Sequence, residues 1–77
     1  MVTQFDNDKH RKATLAIAKE YENRIKQKDR FYVQVPFWQL PETCQQEHVE
    51  VARAALANKT YNGHTLPTWV KRIAEGS

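Results

Sequence analysis

Cys44 and His48 stand four residues apart, one turn of a helix, so a thiolate and an imidazole at those positions could reach one metal ion. His10 and His64 are the imidazoles left to complete such a site, but a closed zinc site usually shows two tight ligand pairs and this chain shows one. With Glu47 beside them, the same two side chains offer a nucleophile and a base. That chemistry needs a lowered thiol pKa, which the first turn of a helix favours, and donors for a developing oxyanion, for which no glycine-rich loop is present. The sequence carries no phosphate loop, paired catalytic carboxylates or dinucleotide fingerprint either. The pair therefore reads as a small apolar cysteine next to a partly buried histidine, and the protein as a non-enzyme with no cofactor or metal.

Basic residues interleaved with aromatics are the other chemistry on offer. Arg30-Phe31-Tyr32 and Trp69 with Lys71 and Arg72 could stack on bases. Lys9, Arg11, Lys12, Lys19, Arg24, Lys26, Lys28 and Arg30 all fall in the first thirty residues, so an anionic partner would meet that part of the chain. The same charges also make an ordinary solvated helix, because Glu20 to Arg24 and Glu22 to Lys26 are correctly ordered i,i+4 pairs. A sequence-reading helix-turn-helix needs a polar recognition helix, and the alanine-rich stretch after residue 42 is not one.

These side chains depend on an all-α frame, a small three-helix domain with an extended aromatic connector between helices 1 and 2. Residues 1–77 form one domain with a loose end over 1–5. Asp6, Asn7 and Asp8 are helix-start residues, and from there to Lys28 the apolar positions repeat with helical period. Thr14, Leu15, Ala18, Tyr21 and Ile25 share its inner face, with Ile17 at the margin. Phe31 to Val35 is aromatic and β-branched, has no strand of similar quality to pair with, and ends at Pro36, which favours an extended connector. Pro41 reads as a first-turn residue of helix 2, with Thr43 and Gln46 at capping-box spacing.

That second helix runs from about Glu42 to Ala57 with Asn58 at its end, its inner face formed by Cys44, His48, Val49, Ala52, Ala55 and Leu56. Asn62-Gly63 is a type I′ turn signal. Thr65 can cap a third helix with Leu66, Trp69, Val70 and Ile73 inward and Gly76 at its end. Phe31, Phe37, Trp38 and Trp69 are expected in the core, with Trp38 and Leu40 clamping the helices together, and Tyr32 and Tyr61 left exposed.

A helix followed by Trp38-Gln39-Leu40-Pro41-Glu42, then Gln46, then Val51-Ala52-Arg53-Ala54-Ala55-Leu56, resembles the start of ryanodine-receptor-type repeat modules. It looks most like the form in small bacteriophage proteins, where a Trp-x-x-Leu-Pro or Trp-x-x-Ala-Pro step precedes a helix with a central arginine. The resemblance covers about residues 10–57, and the stretch from Trp69 to Gly76 is similar to the next segment with imperfect spacing. It implies a non-enzymatic helical module of a phage or bacterial protein, with a nucleotide-like ligand. This chain stops where the better-marked second half of the family would begin, so only the packing role of Trp38 and Leu40 carries over.

One cysteine cannot close an internal disulfide, which suits a reducing compartment, and the polar, acidic amino end does not read as a secretory signal. No apolar run approaches a membrane span. The expectation is a cytoplasmic protein, in the host cytoplasm if phage-borne, that docks on a host protein through Arg24, Arg30, Tyr32, Tyr61 and Arg72. The alternatives are nucleic-acid binding through Lys9, Arg11, Lys12, Lys19, Lys26 and Lys28, and capture of a small anionic nucleotide.

Overall fold

The computed structural model describes residues 5–76, which fold as three α-helices, α1 Asp8–Lys28, α2 Glu42–Leu56 and α3 Thr68–Glu75, with a single 3₁₀ turn at Phe37–Gln39. The expected all-α, three-helix frame is what forms. Residues 1–4 of the expected loose end lie outside the described part, whereas Phe5 packs edge-on against Trp38 with ring centroids 5.8 Å apart.

α1 starts where its sequence says it should. Asn7 adopts an extended backbone and its side-chain oxygen accepts the amide of His10, satisfying a donor that the helix start leaves open. Ahead of the cap, the Asp6 carboxylate accepts from Arg53 Nε at 3.1 Å and Nη2 at 2.8 Å and lies 2.9 Å from His10 Nδ1, tying the start of α1 to α2. At the other end the amide of Asp29 donates to the Ile25 carbonyl, and the Asp29 side chain accepts the amide of Phe31, which turns the chain back on itself.

The connector then leans on α1. Both carboxylate oxygens of Glu22 are used: Oε1 accepts the Tyr32 hydroxyl at 2.9 Å and Oε2 the Val35 amide at 3.3 Å. Gln34 adds a bond from its side-chain amide to Asn23 at 2.8 Å. Among the described residues no strand forms here, as expected of a stretch without a mate, and the only β-type pairing is an isolated bridge between Tyr61 and His64. That bridge closes over Asn62 and Gly63, whose φ values of 49° and 76° are those of a type I′ turn.

Two helix starts follow the same recipe. Pro41 and Pro67 sit at the N-caps of α2 and α3 with nearly the same backbone, φ −53° and −57° and ψ 145° and 148°. Each proline carbonyl accepts the first helical amide, from Gln45 in α2 and from Lys71 in α3. This corrects the expectation by one position: Pro41 precedes the helix rather than opening its first turn, no side chain caps α2, and Pro67 takes the place expected of Thr65. α2 is stopped just past its end by Asn58, whose φ of 56° is left-handed, with Lys59 amide to Ala54 carbonyl and Asn58 amide to Ala55 carbonyl completing the double-bonded helix stop. Gly76 caps α3.

The core is made of small and β-branched side chains. Ala13, Ile17, Val49, Ala52, Val70 and Ala74 are fully buried, and the largest of the fully buried side chains are Ile17, Val49, Val70 and Thr14. Thr14 is tolerated there because its hydroxyl donates to the His10 carbonyl one turn back. Ile17, expected at the margin, is central, and Ile25, expected on the inner face, is 41% exposed because α1 outruns its partners. The aromatic clamp is also corrected. Phe31 is 84% exposed and Trp38 53% exposed, while Phe37, Leu40 and Trp69 are half-buried. Small side chains fill the buried contacts between the helices, and the rings of Tyr21, Tyr61 and Trp69 pack at the margin of that core.

Candidate functional site

The tyrosines and the cysteine–histidine pair meet in one place, a groove of ≈ 560 Å³ between α1, α2 and the loop before α3. α1 contributes Tyr21, Glu22 and Ile25 to one wall. From α2 come Cys44, Glu47 and His48, one helical turn of the opposite wall. The Tyr61 to Pro67 loop closes one end and Tyr32 of the connector overhangs. Two of the rings and the loop are held in place. Tyr32 is fixed by Glu22, Tyr61 donates to Glu50 Oε2 at 3.4 Å, and the bridge across Asn62-Gly63 sets the loop.

The groove is negative. Among the described residues, none of the chain's 12 Lys and Arg lines it, whereas Glu22 and Glu47 both do. The tyrosines register that field. The hydrogen bond to Glu22 raises the Tyr32 pKa above its ordinary 10.0, and burial followed by Glu50 and Glu47 raises that of Tyr61, so both phenols stay neutral. His48 does not offset the charge, because burial pushes its pKa below the ordinary 6.5 against the opposing pull of Glu47 and Glu22.

His48 lies within a run of rings rather than in a ligand set. Its ring centroid is 5.7 Å from Tyr21 and 6.2 Å from Phe37, and Tyr21 meets Trp69 edge-on at 4.9 Å. Cys44 is free and half-buried one turn before it. His64 lines the same groove, but among the described residues no three His, Cys, Asp or Glu side chains are grouped to hold a metal ion, and His10 faces Asp6 instead. The groove offers rings, two carboxylates and the apolar side chains of Leu66 and Val51.

The remaining expected site residues are scattered. Arg24 is taken by Glu20 at 3.1 Å and by the face of Trp69, 4.5 Å from its guanidinium carbon. Arg30 lies 5.7 Å from the Phe31 ring centre, and Arg72 is exposed on α3. Of the expected docking set, only Tyr32 and Tyr61 share the groove. Arg11 and Lys12 both pair with Asp8, at 2.6 Å and 3.5 Å. Lys9, Lys19, Lys26 and Lys28 have no carboxylate partner among the described residues, so the expected Glu22 to Lys26 pair gives way to the bonds Glu22 makes with the connector. Lys12, Lys19 and Lys26 recur every seven residues and so form a row along α1 opposite its buried face.

A second hollow of ≈ 360 Å³ lies on the other side of Glu22 and Leu40, lined mainly by Leu15, Ala18, Val35, Pro36 and Phe37. Sequence reasoning missed Glu22 and Tyr21 as site residues. A helical glutamate bonding a tyrosine ten residues later leaves no local signal in the sequence.

No helix among the described residues is long and apolar enough to cross a membrane. Compared with known proteins, the chain matches no family model, no curated protein and no solved structure.

Proposed function

We propose that the protein is a non-enzymatic docking module that takes a segment of a partner protein into the groove between α1, α2 and the loop before α3. The observation that supports this most is the groove itself, whose Tyr32 and Tyr61 are already fixed by Glu22 and Glu50. Side chains ordered before binding lose little entropy when a partner arrives, which is how a small surface gains affinity. Tyrosine also supplies a large contact area for few rotatable bonds. If the chain is phage-borne, as its ryanodine-receptor-type resemblance implies, the partner is a protein of the host cytoplasm.

The same groove speaks against the nucleotide alternative, because a phosphate placed there would face Glu22 and Glu47 with no cation to meet it. Nucleic-acid binding has its own supporting feature, the row of Lys12, Lys19 and Lys26. Affinity capture from bacterial lysate, with and without nuclease, separates the two. The docking reading expects one stoichiometric polypeptide that survives nuclease and added salt and is lost with Glu47→Lys. Recovery of nucleic acid alone, or equal capture by Glu47→Lys, would overturn it.

A further inference from the structure

We infer that the groove selects a basic side chain, an arginine or lysine projecting from the partner's docked segment, and this rests on reading the groove as a docking site. The occupant follows from charge complementarity. The protein carries a formal net charge of +3, yet every Lys and Arg is kept out of this groove while Glu22 and Glu47 line it. A cation entering there meets a charge opposite to that of the chain as a whole.

The walls suit such a group as well as the charges do. The rings of Tyr21, Tyr32 and Tyr61 line the groove, and a guanidinium or ammonium over the face of such a ring is attracted by its quadrupole. The protein already makes this contact once within itself, where the Arg24 guanidinium carbon sits 4.5 Å from the Trp69 ring centre with Glu20 holding its Nε at 3.1 Å. The groove repeats that combination of ring and carboxylate without its own arginine. Glu22 is committed to the Tyr32 hydroxyl and the Val35 amide, so it holds the wall in shape and contributes its field. Glu47, exposed and without a partner among the described residues, is the carboxylate free to bond the incoming group. The stem of a lysine or arginine would lie on Val51 and Leu66. At ≈ 560 Å³ the groove is larger than one side chain, which leaves room for the backbone that carries it.

The test is a titration of ¹⁵N-labelled protein with four blocked pentapeptides that differ only at the central residue, Arg, Lys, Gln or Glu, read by amide shifts. The Arg and Lys peptides are expected to move the amides of Tyr32, Glu47 and Tyr61, with the Gln peptide about tenfold weaker and the Glu peptide silent. Glu47→Gln should weaken the Arg peptide about tenfold, while Glu75→Gln on α3 should leave it unchanged. Both positions are exposed, and an unchanged amide spectrum of each free variant shows that the fold is kept. Equal binding of the Gln and Arg peptides in the groove would overturn the selection of a cation and leave the docking reading standing. Shifts confined to residues outside the groove would overturn both. Groove shifts that grow with protein concentration in the absence of peptide would identify a second copy of the chain as the occupant and overturn a partner's side chain in that role.

Discussion

The interior and the groove of this protein are made from opposite stock. Between the helices lie Ala13, Ile17, Val49, Ala52, Val70 and Ala74, with no aromatic ring among the fully buried side chains. The groove a few ångströms away is walled by Tyr21, Tyr32, Tyr61 and His48. In a domain of 77 residues every large ring has a choice between filling the core and furnishing the surface, and here the rings went outward. The two regions divide by size: small side chains fill the interior, while the rings of Tyr32 and Tyr61, half-buried and bonded to Glu22 and Glu50, line the groove proposed for docking.

That division can be attacked from the interior first. Ile17→Ala removes the largest fully buried side chain and should cost about 2–5 kcal/mol in urea unfolding, a large share of what so short a chain can hold. Overfilling should hurt next. Ala52→Leu puts a branched side chain where α2 is fully buried, and about 1–3 kcal/mol should be lost. If either variant unfolds at the wild-type midpoint, the small-residue interior is not what holds the molecule. By contrast Trp38→Ala, at a ring 53% exposed, should cost about 1 kcal/mol or less despite its edge contacts with Phe5 and Phe37. A loss as large as that of Ile17→Ala would move Trp38 back into the core and erase the contrast.

A smaller effect comes from the groove wall. Burial holds the His48 pKa below its ordinary 6.5, so as pH falls through that value the unfolded chain takes up a proton that the folded one refuses. Stability from this residue is therefore intact above 6.5, declines as pH drops below it, and levels off once the folded pKa is passed. His48→Phe should flatten that part of the profile when unfolding midpoints are compared at about pH 7.5 and about pH 5.5. An unchanged slope would mean that the imidazole is free to charge in the folded protein.

Much of the frame was legible in the sequence because it is local. The period of α1, the Asn7 cap, the Asn58 stop and the Asn62-Gly63 turn are all written within a few residues of where they act. Pro41, the N-cap of α2, was read one residue too far into the helix because proline is tolerated on both sides of a helix boundary. Burial of the rings was not legible. Whether Trp38 points in or out depends on what fills the interior, and that space is taken by residues far away in the chain, Ala13, Ile17, Val49 and Ala52 among them. The groove was least legible of all, since Glu22, Tyr32, Glu47 and Tyr61 come from four separate segments, and Glu22 looked like a surface ion-pair partner of Lys26.

The most direct test of the claim that the rings and carboxylates of the groove exist for recognition is an amide-shift map of the protein bound to a purified partner. Perturbations should gather at Tyr32, Glu47, His48 and the loop from Asn62 to Leu66. A footprint running instead along Lys12, Lys19 and Lys26, with the groove amides unmoved, would contradict it.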